Sequence, residues 1–164
     1  MLHYYKYTYY MFTYYSAGGD LMNKDNVWSK SFTLTVNSRP KAIWQAFIDT
    51  ANWKRWNPGV KSITIEGPFH TGTWFTMELP DGDVVRSQLI DVSDEKYFID
   101  ETRVDETLVK VEHRIEASGT DHCMLIYAIS TQGPQAQAFG EGISSDFPEV
   151  MAGLAKYLAE TGSM

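Results

Sequence analysis

The alternation of apolar and polar positions sharpens from Ser31 onward. Phe32, Leu34 and Val36 alternate with Ser31, Thr33 and Thr35, which predicts a strand over 31–37 with one dry and one wet face. Ser38 then offers an N-cap. Pro40 falls in the first helical turn, where its missing N–H costs nothing. Ile43, Trp44, Phe47 and Ile48 follow at helical spacing. A second short turn carries Trp53 and Trp56, three apart on one face, and Asn57-Pro58-Gly59 stops it.

Six more strands are predicted, at 60–66, 72–79, 84–92, 95–102, 107–117 and 122–131. Gly67-Pro68, Pro80-Asp81-Gly82, Ser93-Asp94 and Ser118-Gly119 mark turns between them. Short consecutive strands joined by tight turns make an antiparallel meander. The clearest is 107–117. Lys110, Glu112, Arg114 and Glu116 form a charged face, and Val109, Val111, His113 and Ile115 form an apolar face broken by one histidine. Phe75, Met77 and Leu79 repeat the theme, as do Ser87 and Leu89 against Arg86 and Gln88. The last strand has two possible parities. A four-residue turn at 118–121 aims Met124, Ile126 and Ala128 inward; a five-residue turn aims Cys123, Leu125 and Tyr127 inward.

A sheet this one-sided needs a cover. Gly133-Pro134 ends the last strand, and Gly140 and Gly142 weaken the stretch that follows. Asp146 with Glu149 reads as a capping box, with Pro148 tolerable in the first turn. Phe147, Val150, Met151, Leu154, Tyr157 and Leu158 then form one apolar helical stripe. The expected class is α+β, a seven-stranded antiparallel sheet wrapped around a long C-terminal helix.

Residues 1–27 read differently from the rest. Seven of the ten tyrosines lie between Tyr4 and Tyr15. The segment has neither the basic start nor the Leu/Ala-rich centre of a secretory signal, and Met22 would serve equally well as a start. The expectation is a poorly ordered extension ahead of one domain at 28–164. Deleting residues 1–25 should therefore leave the melting temperature nearly unchanged. A loss of several degrees would mean that the tyrosines pack on the domain.

Composition narrows the possible partners. The chain has 164 residues and 43% hydrophobic side chains, enough for one core without disulfides or metal. The net charge of −7 disfavours nucleic acid and anionic membrane surfaces. No apolar run is long enough to span a bilayer, so no membrane insertion is expected. The single Cys123 cannot form an internal disulfide and suits a reducing, cytoplasmic setting.

The ordered series of local motifs points to a family. Phe32-Thr-Leu-Thr-Val-Asn-Ser-Arg-Pro-Lys-Ala-Ile-Trp44 is followed by Trp53-Lys-Arg-Trp-Asn-Pro-Gly-Val60. Then come Glu66-Gly67 with Gly72-Thr73, and finally Gly133-Pro134. Together these resemble the polyketide cyclase/dehydrase branch of the START-like (SRPBCC) superfamily, over about residues 30–160. The resemblance implies the helix-grip fold and a hydrophobic cavity holding a small apolar or aromatic molecule. It also places the short helix ending at Trp56 at the cavity mouth. It does not imply one reaction, because fold does not fix function.

Motifs for chemistry are sparse. There is no G-x-S-x-G elbow, no glycine-rich phosphate loop and no metal-ligand spacing among His3, His70, His113 and His122. No cofactor or metal is expected. His122 and Cys123 are neighbours in a strand and so point to opposite faces. The candidate ligand-binding set is Trp56, Phe75, Met77, Ser87, Leu89, Val111, His113, Met151 and Leu154. His113 is the main polar candidate, against the plainer reading of a core histidine satisfied by the backbone. Asp91, Asp100 and Glu101 are candidate acids whose faces the pattern leaves open. The expected function is binding or carriage of a small hydrophobic ligand. The alternatives are a cyclase or dehydratase using the same cavity, which needs an acid–base pair facing the void, and a co-chaperone-like protein-binding module, which needs a wide exposed apolar patch.

Overall fold

The computed structural model describes residues 26–162, so the expectation for the tyrosine-rich stretch 1–25 lies outside the described residues. Strand β1 spans Val27–Val36, helix α1 spans Pro40–Ile48, and a 3-10 turn covers Thr50–Arg55. Strands β2 (Ser62–Ile65), β3 (Trp74–Glu78), β4 (Val84–Ser93), β5 (Tyr97–Val104), β6 (Thr107–Ala117) and β7 (Cys123–Gln132) follow. Helices α2 (Ala136–Ser144) and α3 (Phe147–Glu160) close the chain. The seven strands form one antiparallel sheet in the order β1-β7-β6-β5-β4-β3-β2. This is the seven-stranded antiparallel sheet that the pattern predicts, in the helix-grip arrangement that the resemblance implies.

Three local expectations need correction. β1 begins at Val27 rather than 31. The early residues are masked in the pattern because Lys30 occupies the phase of Phe32; its Nζ rests over the Phe32 ring at 4.9 Å. Ser38 does not cap α1. Arg39 holds the N-cap position, and Ser38 is buried, its carbonyl accepting from Cys123 Sγ at 3.1 Å. The Asp146–Glu149 capping box is also absent. Ser145, the C-cap of α2, is still helical, so the chain arrives at Asp146 already coiled. The result is a bent C-terminal helix pair with Asp146 at the bend.

Two helical glycines, Gly140 in α2 and Gly153 in α3, are there for contact. A Cβ on Gly140 would lie 2.0 Å from the Trp28 ring, so α2 can sit on β1 only with a bare Cα there. A Cβ on Gly153 would lie 2.3 Å from the Trp56 carbonyl oxygen, which marks how closely α3 approaches the 3-10 turn.

The space between sheet and helices is divided in two. One half is filled by an aromatic plug. Phe98 is its centre, with ring centroids 5.1 Å from Phe47, 5.1 Å from Phe69, 6.1 Å from Trp53 and 4.0 Å from His113. The other half, toward the N-terminal end of α3, is not filled.

Candidate functional site

That unfilled half is a cavity of about 160 Å³. Its sheet wall comes from alternate residues of five strands, including Phe75 and Met77 on β3, Val85 and Ser87 on β4, and Val109, Val111 and His113 on β6. Cross-strand register brings them together: Phe75 faces Ser87, Met77 faces Val85, and Phe98 faces His113. Ile143, Phe147 and Val150 close the helix side, and Trp53, Trp56, Asn57 and Gly59 close the turn side.

Six of the nine candidates therefore line the cavity: Trp56, Phe75, Met77, Ser87, Val111 and His113. Leu89, Met151 and Leu154 do not; each is buried in the core. The reason is position along the elements. The cavity lies toward the Val85–Ser87 end of β4 and the Phe147–Val150 end of α3. Leu89, Met151 and Leu154 lie farther along the same faces, where side chains fill the space.

Three ionisable groups missed from the candidate set also line the cavity. The β5–β6 register pairs Asp100 with Val111 and Phe98 with His113, which puts Asp100 on the inner face. Phe98-Asp100-Thr102 and Tyr97-Ile99-Glu101 are equally mixed sets, so alternation alone cannot choose between them. The missed signal is the two-residue turn Asp105-Glu106, which pairs Val104 with Thr107 and fixes the register. Tyr127 is the second group. Ala117 pairs with Cys123, so the loop has five residues and Cys123, Leu125 and Tyr127 turn inward while His122 is exposed. The third is Asp146, which holds the N-cap position of α3 without a side-chain cap bond and contributes to the cavity lining. The other two candidate acids lie outside. Asp91 is exposed and accepts from the Tyr97 hydroxyl at 3.1 Å, and Glu101 lies 3.8 Å from Lys110 Nζ.

Burial sets the chemistry of the inner cluster. His113 Nδ1 lies 3.4 Å from the Phe98 carbonyl oxygen and 3.8 Å from Asp100 Oδ2. A carbonyl can only accept, so Nδ1 carries the proton. Burial pushes the His113 pKa down to about 3, against the smaller opposing pull of backbone contacts to Phe98 and Val111. Burial pushes the Asp100 pKa up to about 7. The separation would allow an ion pair, but burial decides otherwise. Near neutrality His113 is uncharged and Asp100 is divided between carboxyl and carboxylate. Burial, and next the Asp100 charge, push the Tyr127 hydroxyl far up, so it stays protonated. Beside them Ser87 Oγ and Thr102 Oγ1 are bonded at 2.6 Å. Trp56 Nε1 is buried without a hydrogen-bond partner among the described residues, whereas Trp53 Nε1 donates to the Phe47 carbonyl at 2.9 Å.

So arranged, the site can surround one apolar ring and present to it a neutral imidazole, a phenol and a carboxyl poised to give or take a proton at neutral pH. Among the described residues, no group of three or more His, Cys, Asp or Glu is placed to hold a metal ion.

No family model matches the sequence, and no curated protein matches it. Solved structures do match the fold. A START superfamily protein from Mycobacterium smegmatis is similar at a TM-score of 0.67 and 13% identity, covering 81% of this chain and 98% of that one. Norcoclaurine synthase from Thalictrum flavum is similar at a TM-score of 0.66 and 15% identity, covering 88% and 96%. The Zhui aromatase/cyclase from Streptomyces sp. R1128 is similar at a TM-score of 0.68 and 9% identity, covering 80% and 93%.

Proposed function

Because the chain has the helix-grip fold of START-like proteins, we propose that it binds a small hydrophobic ligand, about one aromatic ring in size, between the sheet and α3. The observation that carries this is the cavity itself: about 160 Å³, walled mainly by aromatic and aliphatic side chains. Cavities near 150 Å³ with apolar walls accept a single benzene-sized ring, whereas drug-sized ligands occupy roughly 300–1,000 Å³. The experiment is a titration of single-ring compounds into the protein, followed by the fluorescence of Trp53 and Trp56. Val111→Phe, which pushes a ring into the void, should weaken binding at least tenfold. Ring compounds that bind equally well to this variant would rule the cavity out as their site.

A second reading has its own support. Asp100, His113 and Tyr127 converge on one void, and a carboxyl titrating near neutrality is a competent general acid or base. This favours proton transfer to the bound molecule, as a cyclase or dehydratase requires. The co-chaperone-like reading has less behind it. The exposed large apolar side chains Val27, Ile48, Trp74, Val84 and Met124 sit on five separate elements. As for localisation, no described helix is long and apolar enough to cross a membrane.

A further inference from the structure

The lining of the cavity is one-sided in charge. Asp100 and Asp146 both contribute to it, and among the described residues no lysine or arginine does. The titratable groups packed against Asp100, His113 from β6 at 3.8 Å and Tyr127 from β7, are uncharged near neutrality. On β4 and β5, Asp100 is flanked by the hydroxyls of Ser87 and Thr102, which are bonded to one another and carry no charge. Asp100 is thus a largely buried carboxyl that meets no lysine or arginine among the described residues lining the cavity.

The apolar part of the wall has the complementary character. Trp53, Trp56, Phe75, Phe98, Tyr127 and Phe147 all line the cavity. Aromatic faces are electron-rich and attract cations, most strongly where water is excluded. A carboxylate inside an aromatic cage is the chemistry that recognises organic ammonium ions. The one buried side-chain donor without an acceptor among the described residues, Trp56 Nε1, is shut away from the open space and does not oppose this. The surplus of acidic groups over the whole chain, −7 net, draws cations toward the surface as well.

We infer that the ligand of this cavity is a protonated amine attached to a single ring or a hydrocarbon group of that size, with its ammonium on Asp100 and its apolar part among the aromatic rings. The inference rests on the cavity being a ligand site, as proposed above. It excludes carboxylates and phosphates as ligands, because the Asp100 carboxylate would repel them and, among the described residues, no lysine or arginine lines the cavity to meet them.

The test uses three probes of one shape: toluene, benzylamine and benzoate, titrated into the full chain by calorimetry at pH 6 and pH 8. Benzylamine should bind at least tenfold tighter than toluene at pH 8, and benzoate should give no detectable binding. Benzylamine stays protonated at both pH values. Its affinity should therefore rise about tenfold from pH 6 to pH 8, as the carboxyl near pKa 7 ionises. Toluene should show no such rise. Asp100→Asn should shrink the gap between benzylamine and toluene to less than threefold, and Asp100→Ser should do the same. Equal binding of toluene and benzylamine by the natural protein, preferential binding of benzoate, or an amine preference that survives both variants would overturn the inference and leave the cavity reading standing. If none of the three probes binds, both fail together.

Discussion

Asp100→Asn should stabilise the protein above pH 7 and make its stability rise with pH between 4 and 6.5. The sign follows from where the protons sit. In the unfolded chain Asp100 ionises near its ordinary value of 3.8; in the folded protein it does so at about 7. Between those values the folded state holds a proton that the unfolded state has released. Its contribution to stability is complete below about pH 4 and is lost as pH rises to 7. The swing corresponds to roughly 4 kcal/mol, at 1.36 kcal/mol per pKa unit. His113 works in the opposite direction. Its pKa falls from 6.5 to about 3 on folding, so stability is complete above pH 6.5 and is lost as pH falls toward 3. Over pH 4–6.5 the two slopes oppose each other and nearly cancel. Asp100→Asn leaves the His113 slope, and His113→Phe leaves the Asp100 slope. Melting temperatures from pH 4 to 8, taken relative to the natural protein, should rise with pH in the first variant and fall in the second. Parallel profiles in the two would mean that burial does not set either pKa.

Phe98→Ala should cost about 3–5 kcal/mol, the usual loss for a fully buried phenylalanine. Phe98 is 1% exposed, and its ring touches Phe47, Phe69, Trp53 and His113. No neighbour can collapse into its place without breaking another ring contact, so the cavity left behind stays open. The melting temperature should fall by roughly 10 °C for a domain of this size. Two further readouts are specific to the plug. The void should merge with the existing cavity, so the variant should accept two-ring compounds that the natural protein excludes. His113 should also lose the ring stacked on it and move its pKa back toward the ordinary 6.5, visible by NMR titration. Loss below 1 kcal/mol with an unchanged His113 titration would remove Phe98 from the centre of the plug.

Much of the architecture was legible along the chain. Strict alternation in 107–117 placed His113 on the inner face, and the stripe from Phe147 to Leu158 located the covering helix. Both are local properties with a period that backbone geometry imposes. The same reasoning identified the face but not the depth: Leu89, Met151 and Leu154 share the phase of cavity residues and lie in solid core instead.

What tertiary structure decided was register and filling. Asp100 and Tyr127 turned inward because a two-residue turn at Asp105-Glu106 and a five-residue loop after Ala117 set the pairing of their strands. One residue more or less in either connection would have sent them to solvent. The size of the cavity was decided by which half of the interior the aromatic rings of Trp44, Phe47, Phe69 and Phe98 happened to occupy. That packing joins residues up to 54 positions apart, and no periodicity within a single element encodes it. The raised pKa of Asp100 follows from the same packing, since burial is a property of the assembled neighbours and not of the strand that carries the carboxyl.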